Sequence, residues 1–338
     1  MNVKPIEIRW HPGISIYASG QFLKTVGDDF GWLGGFDDSE NLRCVLPYTI
    51  VRKASVRMVR FRVETIPWNA DLSIEEEKDF LNRVVAYFRS VHADLVIPAT
   101  TNSIFRTYPR GAVAAPYGTL IIDLNQSEET LFGNLSPSHR RKVRLAIKAG
   151  VEITDGPEHA GTAYALVRET FERSSIRFMN SAAFHRMVGG LGEYVKILVA
   201  RHRGVIQGAL VIPYSTYGAY YNYGGSIPEP ETGAMVLLHW QAIRMFRDLG
   251  VQRYDFCGVR INPDKGSKQD GLLSFKERFG PRLFQGYMWK CNINPIKSRV
   301  YSLAVRFLKG GDIVDAERHK ITTDLQLDPS AGEGHHSQ

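Results

Sequence analysis

Apolar and polar positions alternate along this chain in patterns that predict an α+β protein. The run 56–64 interleaves Val56, Met58, Val59, Phe61 and Val63 with Arg57, Arg60 and Arg62, the two-residue period of a half-buried strand. The run 42–51 before it reads the same way. Ser73 with Glu76 three positions later forms a capping box. The helix it opens sets Phe80, Leu81, Val84, Val85, Phe88 and Val91 on one face. A short strand at 15–17, a helix at 19–30 and a buried strand at 94–98 complete the first hundred residues.

A loop rich in Thr, Pro and Gly (98–118) follows, and a strand at 119–124 restarts the pattern. Ser127 caps a helix over 128–135, and Ser138 opens a strongly basic helix that ends at Gly150, a residue type suited to that terminus. Helices near 160–173 and 181–188 lead to three strands, 194–202, 205–214 and 217–224. An amphipathic helix over 233–249, a strand at 251–256, a short helical piece at 275–279, a strand at 282–293 and a helix at 296–308 close the order. Each half is α+β with a mixed sheet, and the second half repeats the first in outline. The stretch 322–338 holds no apolar run and is expected to be disordered.

Composition narrows this picture. A chain of 338 residues, 43% hydrophobic and 23% charged, has room for two folded domains of the usual ~100–200 residues and is neither fibrous nor mostly disordered. No uninterrupted apolar run reaches the roughly 18 residues of a membrane span. Residues 1–11 carry Lys4, Glu7 and Arg9 without an apolar core, so no secretory signal is expected. Three cysteines, Cys44, Cys257 and Cys291, show no CxxC spacing, which argues against a disulfide framework or a zinc site. A soluble cytoplasmic protein is expected, and peripheral contact with the inner face of the cell membrane stays open.

The formal net charge is +7, and its placement says more than its size. Residues 41–63 carry six basic side chains and 136–150 carry five, with no acidic residue in either stretch. Residues 251–282 hold seven basic against four acidic side chains. Such patches suit polyanions, whether nucleic acid, a nucleotide diphosphate or an anionic membrane, although each alone reads equally as a solvated face. Arg140, Arg141, Arg144 and Lys148 fall largely on one stripe of the basic helix, and Val143, Leu145, Ala146 and Ile147 are left as its packing side.

Three stretches of the second half resemble the FemABX family, the aminoacyl-tRNA-dependent transferases that add amino acids to peptidoglycan precursors. They are YGTLIIDLNQSEETLFGNLSPSHRRKVRLAIKAGVEI (117–153), LHWQAIRMFRDLGVQRYDFCGV (238–259) and GLLSFKERFG (271–280). The last two carry Tyr-Asp-x-x-Gly and Phe-Lys-x-x-Phe-Gly in the family's order and spacing. The first 110 residues resemble the family by element order only. The resemblance implies two tandem GNAT-like (acyl-CoA N-acyltransferase fold) domains with mixed sheets and no coiled-coil arm. The expected division is an N-terminal domain over 1–117, completed by a C-terminal helix at 294–321, and a second domain over 118–293. No metal or redox cofactor is implied. The implied donor is aminoacyl-tRNA and the implied acceptor a UDP-MurNAc-peptide or lipid-linked precursor. A monomer is expected.

Lys276 is the leading catalytic candidate. Aminoacyl transfer passes through a tetrahedral oxyanion, and a buried cation beside it lowers the barrier. The resemblance ties the same lysine to the tRNA end, with Phe275 and Phe279 offering a face for the terminal adenine. Asp255, at the end of a buried strand, could orient a donor or take a proton, or equally tie down the turn that Gly258 suggests. The family is thought to let the substrate assist proton transfer, so no dyad is forced here. His139, His185, His202 and His239 are scattered, and ordinary placement is expected for each. The family's basic residues that hold the precursor diphosphate point to Arg173 and Arg177, and more loosely to Lys24 in the first domain; tRNA contact falls to Arg140, Arg141, Arg144 and Lys148. Tyr220, Tyr221 and Tyr223 are expected to alternate faces of one strand, with Tyr221 and Tyr223 candidates for substrate contact.

The segment before the 233–249 helix separates two chemistries. Acetyl-CoA enzymes of this fold carry a Gly-rich turn there whose amides hold a pyrophosphate. This chain reads Ile227-Pro228-Glu229-Pro230-Glu231-Thr232-Gly233-Ala234, with two prolines that lack N–H groups and two glutamates that repel phosphate. An aminoacyl-tRNA donor is therefore favoured. The alternatives are an acyl-CoA-dependent N-acyltransferase acting on an amino sugar of an exopolysaccharide, tRNA-dependent transfer to a peptide natural product, and a binding module with a dead site.

Overall fold

The computed structural model describes residues 1–68, 71–309 and 311–319. The 322–338 stretch lies outside these residues. The chain forms two compact units: one built from Met1–Ile8, Gly27–Gly118 and the chain from Gln285, the other from Arg9–Val26 and Thr119–Phe284.

In the first unit, Asn2–Ile6, Asp29–Phe36, Leu42–Lys53 and Val56–Phe61 pair antiparallel in succession. Leu95–Val96 then lies parallel to Val56–Phe61, and Cys291 and Asn292 of the strand Arg282–Asn292 pair antiparallel with it. The helix Ile74–Ser90 has the capping box expected of it, with both reciprocal bonds between Ser73 and Glu76 made. Its buried Phe80, Leu81, Val84, Val85 and Phe88 meet Leu33, Val59, Phe61, Phe105 and Trp289 in one core. Each such side chain contributes about 1.5–3 kcal/mol by leaving water.

Two expectations for this region fail. The 15–17 stretch is a 3₁₀ turn, Ile16–Ala18, and the helix after it stops at Val26. Residues Asp29–Phe36 are a strand, which Gly31, Gly34 and Gly35 disguise in the sequence. A Cβ on Gly35 would stand 2.7 Å from both Cys44 Sγ and a Phe80 ring carbon, so glycine here serves close packing and not a loop. Four of the six basic side chains in the run 41–63 are engaged within the fold, and Arg52 and Lys53 are exposed. Arg57 donates to Val91 O (2.9 Å), Arg60 to Pro98 O (3.2 Å), Arg62 to Thr49 Oγ1 (3.1 Å), and Arg43 pairs with Glu76 (3.2 Å).

The second unit holds an antiparallel sheet ordered Tyr223–Ser226, Val205–Pro213, Val195–His202, Glu152–Asp155. In a separate set, Arg253–Asp255 pairs antiparallel with residues 121–123 and parallel with Ala219–Tyr220. The helix Ala234–Asp248 buries Val236, Leu237, Leu238, Trp240, Ile243 and Phe246 against these strands. Residues 9–26 group with this unit, not with the first domain as expected. Their carbonyls take side-chain bonds from Ser215 (to Ile14 O, 2.9 Å) and Thr216 (to Pro12 O, 2.7 Å). The helix Gly20–Val26 packs so closely on Ser181–Leu191 that a Cβ on Gly190 would stand 2.1 Å from Thr25 Cγ2.

Candidate active site

The chemistry collects where two neighbouring strands of the second unit part. Ala219–Tyr220 runs beside Arg253–Asp255, and the Tyr221 amide still donates to Asp255 O at 2.8 Å. Beyond that point Tyr223–Ser226 pairs with Gly208–Val211, while the Phe256 amide turns away to Leu120 O at 2.9 Å. Tyr223–Ser226 and Arg253–Asp255 therefore belong to different sheets, and the chain at Cys257 and Gly258 follows the point where they part. The expected single strand 217–224 is thus two short strands in different sheets. Tyr220, Tyr221 and Tyr223 do not alternate on one surface, because the chain changes partner between them.

Asp255 builds the turn at this point. Its buried carboxylate accepts from the Thr119 hydroxyl and from the Cys257 amide (2.7 Å). That grip holds Cys257 at φ 54°, a left-handed conformation costly for a residue with a Cβ. The turn aims Cys257 O and Gly258 O at Lys276 Nζ, at 3.0 and 3.3 Å. Lys276 sits in the last turn of the helix Lys268–Glu277, where a cation suits the helix dipole, and is 3% exposed. An ammonium has three donors and the two carbonyls use two, which leaves one N–H for another acceptor. Burial pulls its pKa down from the ordinary 10.5 to about 8, against the opposing pull of Cys257 and Asp255. Burial likewise pushes the Asp255 carboxyl up, against Arg253, Thr119, the Cys257 amide and Lys276.

The surroundings are aromatic and largely buried. His239 is fully buried, its Nδ1 3.1 Å from the Tyr254 hydroxyl. Burial, with Lys276 and His139 nearby, pulls His239 down to about 3, so the ring is neutral at ordinary pH. Tyr17, on the segment 9–26, packs with its ring tilted 58° to that of Tyr220 at 4.8 Å between centroids, and the Tyr220 hydroxyl donates to Ser15 Oγ at 2.8 Å. The Tyr17 hydroxyl is buried without a hydrogen-bond partner. Burial raises its pKa, and Cys257, Tyr220, Tyr223 and Asp255 act on it in the same direction. Lys276 is thus a buried ammonium with one donor left by the two carbonyls, which can hold an oxygen that gains negative charge.

The remaining expected site residues scatter. Phe279 is 1% exposed and locked in the core with His139 and Phe256, so it has no face for a base. Phe275 is half-buried against His139 and His239. Arg140 does not face outward with its stripe: it donates to Gly133 O (2.7 Å) and Leu135 O, closing the preceding helix. Arg144 covers the Phe132 ring at 5.5 Å, and Arg141 and Lys148 are exposed. The packing side of that helix is His139, Val143 and Ala146, and Leu145 and Ile147 are exposed. Arg173 is spent on Ser226 O (2.6 Å) and Thr170 Oγ1 (2.9 Å), tying a helix end to a strand, whereas Arg177 is exposed. Lys24 is exposed and belongs to the second unit. Tyr221 lies over Gly224 and meets His239 edge-on at 4.5 Å, and Tyr223 packs on Phe178 at 5.1 Å. Thr119, Tyr17 and the Cys257 carbonyl carry no mark in the sequence that singles them out. Thr119 lies 136 residues from Asp255, and no local pattern marks such a partner.

The turn before the Ala234–Asp248 helix is occupied by its own chain. The Glu231 amide donates to Gln207 Oε1 (2.7 Å), the Thr232 amide to Glu231 Oε1 (2.8 Å) and the Ala234 amide to Glu231 O (2.9 Å). Glu231 also stands 3.3 Å from His202. A phosphate would have to displace these bonds and approach a carboxylate.

Residues 136–269 match the acetyltransferase (GNAT) domain family. No curated protein matches the chain. A crystal structure of FemX superposes with a TM-score of 0.68 at 14% identity, over 88% of this chain and 99% of that one. The C-terminal domain of a candidate lysylphosphatidylglycerol synthetase from Agrobacterium fabrum gives 0.51 at 13% identity, over 86% and 92%. A conserved protein of unknown function from Bacteroides thetaiotaomicron gives 0.50 at 12% identity, over 80% and 89%. The likeness is one of fold: α+β, with mixed sheets, a GNAT domain and a FemX-like arrangement of elements, and no long coiled-coil arm among the described residues. The GNAT match on this fold makes the chain an acyltransferase.

Proposed function

We propose that the chain is an aminoacyltransferase that moves an amino acid from the ester of a charged tRNA to an amine of a peptidoglycan precursor, soluble or lipid-linked. The observation that carries this reading is Lys276: a buried ammonium held by two backbone carbonyls, which leave its third donor for another acceptor. The acceptor amine attacks the ester carbonyl carbon, and the carbonyl oxygen takes up negative charge beside Lys276 Nζ. Collapse of this intermediate breaks the bond to the ribose oxygen. The amine proton leaves and the ribose hydroxyl gains one, so an amide and a free tRNA end result. One well-placed donor to such an oxyanion is worth ~10²–10³ in rate.

The filled turn at 231–234 supports a donor other than acetyl-CoA. Arg141, Arg144 and Lys148 offer tRNA an exposed basic stripe, and Lys24 and Arg177 are exposed cations for an anionic acceptor. Asp255 acts in this scheme by fixing the carbonyls that position Lys276, which makes it a positioning residue. The test is incubation with charged tRNA and either UDP-MurNAc-pentapeptide or its lipid-linked form, followed by mass spectrometry. A product heavier by one amino-acid residue is expected. Acylation from acetyl-CoA, with tRNA having no effect, would replace the reading.

A further inference from the structure

The helix Pro295–Lys309 of the first unit carries two contrasting faces. Ser298 is fully buried, its hydroxyl donating to Asp94 O at 3.2 Å, and Lys297 Nζ reaches Asp94 at 3.1 Å and Ser55 O at 2.8 Å. Tyr301 and Val305 continue this inward face. On the other side Ile296, Val300, Leu303 and Phe307 are 76%, 60%, 56% and 87% exposed. At 3.6 residues per turn these four fall within an arc of roughly 60°, an unbroken apolar stripe. Arg299 and Arg306 are exposed along one edge of it. Residues 293–311 contain Lys297, Arg299, Arg306 and Lys309 and no acidic residue.

We propose that this helix is a docking surface for an anionic phospholipid bilayer. An apolar stripe of this size on one exposed helix face marks an interaction surface. Charge complementarity points to the partner: a helix lying in the plane of a membrane buries its apolar face and sets basic side chains such as Arg299 and Arg306 among lipid phosphates. The anchoring of the opposite face through Asp94 holds the stripe outward with no rearrangement. The inference is independent of the acyl-transfer reading, since none of these residues belongs to the Lys276 site.

The test is co-sedimentation of the full chain with phosphatidylcholine vesicles, with or without about 30% phosphatidylglycerol. Binding at least ~10-fold tighter to the anionic vesicles is expected, weakened by high salt. Val300→Asp with Phe307→Asp should abolish binding, and Arg299→Glu with Arg306→Glu should remove the preference for phosphatidylglycerol. Both pairs are exposed, so circular dichroism should match the parent, and turnover of a water-soluble acceptor should not change. Equal binding to neutral vesicles, binding unaltered by the Asp pair, or a dimer in light scattering that the Asp pair dissociates would each overturn the proposal.

Discussion

Replacing Lys276 with Met separates catalysis from stability in a way that few substitutions can. Lowering a lysine pKa from 10.5 to about 8 means the folded protein bears its charged form at a cost of about 3 kcal/mol at neutral pH, at about 1.4 kcal/mol per unit. Methionine has nearly the same length and removes that cost. It also strips Cys257 O and Gly258 O of a donor, which costs about 1–3 kcal/mol. Lys276→Met is therefore expected to be as stable as the parent at pH 7 or about 2 kcal/mol more so. Turnover should nevertheless fall ~10²–10³-fold. The folded-state pKa lies below the unfolded one, so between pH 8 and 10.5 the unfolded chain holds more protons and the parent's stability rises with pH. The variant should lose this rise. Thermal unfolding across pH 7–10.5, beside single-turnover rates, reads both effects. A variant that is several kcal/mol less stable yet turns over normally would refute the argument and make Lys276 a structural strut.

Further outcomes follow from the same geometry. With Lys276 protonated as the donor, kcat/KM should fall as pH rises through about 8, and this limb should vanish in Lys276→Met. Asp255→Ala should lower the unfolding midpoint by several degrees, since it orphans the Thr119 hydroxyl and the Cys257 amide. Its activity should drop more than that of Asp255→Asn, which keeps an acceptor for the amide. Arg141→Glu with Lys148→Glu should reduce tRNA affinity and flatten its salt dependence by about two contacts, measured by filter binding across salt concentrations. Arg140→Ala should instead destabilise the fold by about 1–2 kcal/mol, because its bonds go to the Gly133 and Leu135 carbonyls. Calorimetry with CoA should show no heat at millimolar concentration, given the occupied amides at 231–234.

Much of the fold is legible where local rules act alone. The helix Ile74–Ser90 follows from its capping box and apolar stripe, and the strands Val195–His202 and Val205–Pro213 from the apolar stretches 197–200 and 209–213 within them. What escapes the sequence is long-range. The glycines of Asp29–Phe36 look like a loop until Cys44 and Phe80 are seen pressed on them. The tyrosines near 220 look like one strand until Asp255 takes one end and Val205–Pro213 the other. Basic side chains are the most deceptive: Arg57, Arg60, Arg62, Arg140 and Arg173 look free, yet each donates to a backbone carbonyl or hydroxyl distant in sequence or beyond the turn. Lys276 is conspicuous through its Phe-Lys-x-x-Phe-Gly setting, but its burial depends on a turn that Asp255 and Thr119 build from elsewhere in the chain.

The central claim is that a Lys276-centred site passes an aminoacyl group from tRNA to an amine. The most direct measurement follows radiolabelled amino acid from a pool of charged tRNAs to UDP-MurNAc-pentapeptide or its lipid-linked form, with the parent and Lys276→Met side by side. The account predicts label in the acceptor with the parent and at least ~100-fold less with the variant. No label in either acceptor from any charged tRNA, or equal label with both proteins, would contradict it.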